Sequence, residues 1–213
     1  MTPADPDGAS EIAARRSRKG IGASRSPLIL ASGSPQRRAI LEQLGIAFEV
    51  IVSGVDELEQ GPPHEVALEN AYRKAAAVAA QVGSERAVLG VDTVVALGRR
   101  LFGKPSDRAA ATEMVSALAG QRHLVVSGVC LIEAGETRTA AAETAVEFRA
   151  LDESAIAAYV DTGEWEGRAG AYAIQGRGAA LVTRVEGDYL SVVGLPVATL
   201  IDLAPGLIPG VFL

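Results

Sequence analysis

The sequence is short of cysteine, of aromatic rings and of basic charge, and it has no long apolar run. A single cysteine, Cys130, rules out an intrachain disulfide and with it a disulfide-stapled scaffold. It lies in the apolar run from Val125 to Leu131, so it reads as a small buried hydrophobe rather than a nucleophile. Aromatics make up only 4% of a chain that is 48% hydrophobic, so the core must be built from Ala, Val, Leu and Ile. That composition favours close helix-on-sheet packing over a sandwich filled with large rings. The net charge of −6 argues against broad nucleic-acid binding, which needs a basic face, and no nucleic-acid partner is expected. No stretch reaches the ~18–20 apolar residues of a membrane span, so no membrane partner is expected either. The N-terminus lacks an apolar secretory core, and a cytoplasmic location is the expectation. The two histidines, His64 and His123, are far apart and form no metal-binding spacing with Cys130.

What is present divides into two parts. Residues 1–26 are rich in Ala, Ser, Gly and Pro, with Arg15, Arg16, Arg18, Lys19 and Arg25 against Asp5, Asp7 and Glu11. Without hydrophobic periodicity they read as a mobile tail. Residues 27–213 read as one folded domain. Leu28–Ala31 predicts a short buried strand. Arg37–Leu44 predicts a helix begun by Ser34 and Pro35 and stopped by Gly45. A strand is predicted over 48–53, an Ala-rich helix over 65–82 and a central strand over 87–97. Gly98-Arg99-Arg100 predicts a hairpin turn. Then come a helix over 107–118 capped by Ser106 or Asp107, strands over 123–133 and 138–148, and a helix over 153–160 capped by Asp152. Strands over 171–175 and 179–185 and a closing helix over 195–203 complete the pattern. Mixed elements with at least one hairpin predict an α/β class with a mixed sheet.

Four segments carry residues suited to phosphate chemistry. Ser32-Gly33-Ser34-Pro35-Gln36-Arg37-Arg38 lies between a strand and a helix. The free N–H groups there and an adjacent arginine make an anion site, although an ordinary capped helix with solvated arginines has the same pattern. Asp56 and Glu57 follow one strand, and Asp92 interrupts the apolar run from Leu89 to Val95. A carboxylate so placed is costly unless paired or bound to a cation, and it suits a general base. Lys104, in Phe102-Gly103-Lys104-Pro105, is placed to reach phosphate from a loop, and Lys74 stands in an Ala-rich helix where solvent is the usual partner. The segment 164–176 is rich in glycine and ends near Gln175, which offers a donor and an acceptor to a base edge. Trp165 and Tyr172 within it read as packing residues.

Taken in order, these segments resemble the Maf family of nucleotide pyrophosphatases. The matching pieces are Leu-Ala-Ser-Gly-Ser-Pro at 30–35, Val-Asp-Glu at 55–57, the helix around Lys74, and Asp-Thr-Val-Val at 92–95. They continue with Gly-Lys-Pro at 103–105, Leu-Ala-Gly-Gln-Arg-His at 118–123, Ala-Gly-Ala-Tyr-Ala-Ile-Gln-Gly at 169–176 and Val-Val-Gly-Leu-Pro at 192–196. The resemblance implies a mixed, elongated sheet flanked by helices, with two lobes around a cleft. It also implies hydrolysis of a nucleoside triphosphate to monophosphate and diphosphate with Mg²⁺ or Mn²⁺. By position, Asp92 looks like the catalytic acid/base and, with Glu57, a metal ligand. Ser32, Arg37, Lys74 and Lys104 look like triphosphate contacts, while Gln36, Thr93 and Gln175 fall where the family tunes base choice. Thr93 and Gln175 match members acting on dTTP and UTP. Gln36 departs from the arginine usual in those members, and Arg168 replaces a more usual lysine. A homodimer is the assembly the resemblance suggests. The second reading it allows is a nucleotide-binding regulator of cell division without turnover.

Overall fold

The structure, a computed structural model, describes residues 26–208. Residues 1–25, and with them nearly all of the expected tail, lie outside the described residues. The strands are β1 (Leu28–Leu30), β2 (Phe48–Val50), β3 (Val88–Leu97), β4 (Arg100–Phe102), β5 (Arg122–Glu133), β6 (Glu136–Phe148) and β7 (Val182–Glu186). The helices are α1 (Pro35–Gln43), α2 (Pro63–Val82), α3 (Arg108–Leu118), α4 (Glu153–Val160), α5 (Tyr189–Val193) and α6 (Val197–Leu203).

One seven-stranded sheet runs in the order β2-β1-β3-β5-β6-β7, with β4 also paired to β3. β2, β1 and β3 are parallel, and the remaining pairs are antiparallel, so the sheet is mixed as expected. β5 and β6 are long strands joined at Ala134-Gly135, where both residues have positive φ (51° and 81°). That backbone matches the right-handed twist of the strands it connects.

Alternation along β3 sends Val88, Gly90, Asp92 and Val94 to the face covered by α2, and Leu89, Val91, Thr93 and Val95 to the other. On the second face, Leu89 and Val91 join a core with Leu28, Leu30, Leu41, Leu195 and Leu200. Val95 joins a separate core with Phe102, Val115, Phe148 and Tyr172. The long strands therefore carry a core at each end, with Thr93 between the two. On the first face α2 lies against bare backbone. A Cβ on Gly90 would sit 2.1 Å from the Ala71 carbonyl oxygen, and one on Gly128 would sit 2.4 Å from that of Ala67. Only glycine allows this approach, and Ala67, Ala71 and Ala75 on the helix complete it.

The outer edge of β3 is shared. β1 pairs at Val88 and Leu89, and β4 pairs from Val95 to Leu97. Between Leu89 and Val95 that edge has no strand partner among the described residues. The sheet thus opens a notch at Asp92 and Thr93, flanked by the loops that leave β1 and β4.

Two predicted strands are corrected. Residues 172–175 follow an irregular path after a 3₁₀ turn at Ala169–Ala171, and Gly176–Leu181 is a second 3₁₀ segment, so pairing starts only at Val182. Gly170, Ala171 and Gly176 have positive φ (70°, 60° and 81°), which breaks any extended run. The predicted strand over 48–53 stops at Val50, and the closing helix starts at Val197 after the short α5, which the sequence pattern did not indicate. Among the described residues, no helix is long and apolar enough to cross a membrane.

Candidate active site

The notch opens into a cavity of about 820 Å³. Lining residues come from the loop after β1, the segment after β2, α2, β3, the loop after β4 and the 164–176 segment, including Ser32, Gln36, Arg37, Glu57, Lys74, Asp92, Thr93, Lys104 and Gln175. All nine residues to which the family resemblance gives a role therefore border one space.

Lys74 is the centre of the charge pattern. Its Nζ lies 2.6 Å from Asp92 Oδ1 and 2.7 Å from Glu57 Oε1. Asp92 is only 4% exposed, so its charge is met by a cation rather than by water. Lys104, more exposed, reaches the same Glu57 oxygen at 3.2 Å and Oε2 at 3.4 Å. Burial alone would raise the Glu57 carboxyl, but Lys74 and Lys104 outweigh it and hold the group below the usual carboxylate range. Asp56, the neighbouring carboxylate, is exposed and does not line the cavity. The solvent that usually meets a lysine in such a helix is excluded here, since Lys74 is 7% exposed. The packing of α2 onto Gly90 and Gly128 brings the helix close enough for Lys74 to reach β3.

Arg37 is buried at the start of α1 and is held by three oxygens. Its Nε donates to the Gly194 carbonyl at 2.8 Å, Nη1 to Ser32 Oγ at 2.8 Å and Nη2 to Thr93 Oγ1 at 3.3 Å. Burial pulls the guanidinium down from its ordinary range, while the nearby charges of Asp92 and Glu57 pull the other way. Ser32 Oγ also accepts from the Ser34 amide at 3.3 Å. With two bonds accepted, its own proton remains to be donated. Ser34 stands at the N-cap position of α1, but its side chain turns to Gln36 Oε1 at 3.2 Å and makes no capping bond. The side-chain cap predicted at Ser34 is therefore absent, which leaves the first-turn amides beside the cavity free for an anion.

Thr93 Oγ1 shares a hydrogen bond with Ser127 Oγ at 2.8 Å, and Ser127 also donates to the Ser191 carbonyl at 2.9 Å. The hydroxyl is thus fixed from both sides. Gln175 is exposed at the mouth. Its loop is tethered by Glu164, whose carboxylate accepts from the amides of Arg177 (3.0 Å) and Gly178 (3.1 Å). The indole N–H of Trp165 donates to the Val160 carbonyl at 2.9 Å, and the ring packs against the core that holds Phe148 and Tyr172. Tyr172 meets the buried His123 at 3.0 Å. These aromatics are packing residues, as expected. His123 is desolvated, which lowers it to about 4 and keeps it neutral. Burial raises the Cys130 thiol to about 12, so it is inert as a nucleophile.

Asn70 and Glu164 were not anticipated as site residues. Asn70 sits one turn before Lys74, a spacing that puts both on one helix face. That spacing is the only signal the sequence offered for it.

Residues 27–206 match the family model described as Maf-like protein. The chain belongs to this family. Among curated relatives it is similar to the dTTP/UTP pyrophosphatase of Pelotomaculum thermopropionicum, 47% identical over 180 residues, which is 83% of this chain and 94% of the relative. It is also similar to that of Thermococcus kodakarensis, 45% identical over 171 residues, covering 80% and 91%. That of Gloeobacter violaceus is 46% identical over 178 residues, covering 83% and 93%.

Proposed function

We propose that this protein hydrolyses nucleoside triphosphates, dTTP and UTP foremost, to the monophosphate and diphosphate. The observation that carries this reading is the Glu57–Lys74–Asp92 array at the floor of a cavity also lined by Ser32, Arg37 and Lys104. The names of the similar proteins support the substrate class.

In this reading the triphosphate lies along the loop before α1, against the open amides, Ser32 and Arg37, with Lys74 and Lys104 near its charged end. Asp92 accepts a proton from a water that attacks the α-phosphorus. The bond from that phosphorus to the β-bridging oxygen breaks, and pyrophosphate leaves with the pair of electrons. Such chemistry depends on placement and charge neutralisation more than on covalent help. Two carboxylates and two lysines cancel one another here, so a polyanion requires further positive charge.

Mg²⁺ or Mn²⁺ fits that requirement. Among the described residues, no group of three or more His, Cys, Asp or Glu could hold a metal ion. Glu57 and Asp92 would be the holders, and Mg²⁺ is commonly bound by one or two carboxylates together with substrate phosphates. When bound, the ion supplies Lewis-acid neutralisation of phosphate oxygens. Base choice falls to Gln36, Thr93 and Gln175, which border the same cavity. A cytoplasmic location and a homodimer belong to the same reading.

The deciding experiment incubates pure protein with Mn²⁺ or Mg²⁺ and each of a panel of canonical and modified triphosphates, and separates the products. Monophosphate and pyrophosphate from UTP and dTTP are the expected result. Tight binding with no product would favour the regulator reading instead.

A further inference from the structure

Asn70 is 2% exposed and does not border the cavity, yet its carboxamide makes three bonds that tie α2 to two other parts of the site. Its Oδ1 accepts from the Leu58 amide at 2.7 Å. Its Nδ2 donates one hydrogen to the Leu58 carbonyl and the other to Asp92 Oδ2, both at 3.0 Å. The three bonds settle which way the amide points. Turned over, its oxygen would face a carboxylate and a carbonyl, and its NH₂ would face an N–H.

Leu58 directly follows Glu57, in a segment from 51 to 62 with no strand or helix of its own. The backbone around Glu57 therefore has no sheet ladder to place it. Asn70 supplies the pair of hydrogen bonds a strand neighbour would give, and its remaining hydrogen holds the other carboxylate. The ion pairs from Lys74 and Lys104 also restrain Glu57, but an arriving polyanion competes for both lysines, whereas the amide clamp is untouched by it. We propose that Asn70 is a positioning residue that fixes the spacing between Glu57 and Asp92 through turnover. This rests on the reading of those carboxylates as the reacting centre. The fit is narrow. Asp would lose both donated bonds, Leu would lose all three, and Gln would be longer by one methylene.

The test uses the wild-type chain with Asn70→Leu and Asn70→Asp. In the wild type the Leu58 amide exchanges its hydrogen slowly despite lying outside regular structure. Fast exchange there overturns the clamp without any variant. In Asn70→Leu, protection at Leu58 is lost and kcat for UTP falls about 10- to 100-fold, the range typical of residues that orient others, with KM within about threefold. Asn70→Asp sets a carboxylate oxygen against the Leu58 carbonyl and Asp92, so kcat falls there too. Unchanged kcat in either folded variant, or a loss confined to KM, overturns the proposal. A wild type with a protected Leu58 amide and no release of pyrophosphate would sink the hydrolase reading and leave the clamp standing.

Discussion

Replacing Asp92 by Asn removes a charge but little shape, and Lys74 keeps Glu57 as a partner at 2.7 Å. The expected outcome is a fall in kcat of about 10²-fold or more, the scale of a lost general base, with the fold kept but the thermal midpoint lowered, because the new NH₂ must face one of two buried donors, Lys74 Nζ or Asn70 Nδ2. Product analysis alongside a melting curve checks both halves. Lys74→Met acts differently, because it leaves the buried Asp92 facing Glu57 with no cation between them. It should cost about 3 kcal/mol in a urea titration, as for other broken buried pairs, and Asp92→Asn in the same chain should recover part of that. His123 gives a pH dependence with a definite sign. Its folded value, about 4, lies below the ordinary 6.5. The unfolded chain therefore binds more protons across that window, and stability falls as pH drops through it. The loss reaches about 3 kcal/mol near pH 4. His123→Gln, which still offers Tyr172 a partner, should flatten the dependence in urea titrations run at several pH values.

At the scale of elements, α2 decides whether the site exists, because both Asn70 and Lys74 ride on it. Gly128→Ala would push a methyl carbon to within 2.4 Å of the Ala67 carbonyl oxygen. A helix backbone cannot yield like a side chain, so a loss of at least about 1–3 kcal/mol is expected, together with a fall in kcat. Gly103→Ala is the control, since nothing lies within 4 Å of the added carbon, and its stability should stay within about 0.5 kcal/mol of wild type. α2, β3, α3 and α4 could be located from periodicity and caps. Asp107 and Asp152 do cap α3 and α4 through the amides of Ala110 and Ala155, each at 2.8 Å. The 171–181 stretch misled because apolar residues there look like strands. Ala171, Tyr172, Ile174 and Leu181 instead enter the core one at a time from an irregular path punctuated by glycines. No local pattern carries that information.

For the molecule as a whole, the cavity lies where β3 exchanges one neighbour for another, the sort of crevice in which open α/β sheets take ligands. The residues bordering it were legible in advance because each stands in a recognisable segment. Their bonds to one another were not, since Lys74 meets Asp92 only through the seating of a helix on two glycines. The same architecture bears on metal removal. With no cage of three or more ligating side chains among the described residues, a chelator should abolish pyrophosphate release. It should leave the thermal midpoint unmoved, unlike a protein whose folding depends on a resident ion. Calorimetry with and without EDTA, beside the activity assay, checks this.

The chain's one tryptophan stands between Glu164 and Glu166, both of which border the cavity, with its indole anchored to α4. Nature has thus built a single fluorophore into the rim. Because no second indole contributes background, a change in its emission as nucleotide is titrated in reads occupancy directly, without a label and in variants that turn nothing over.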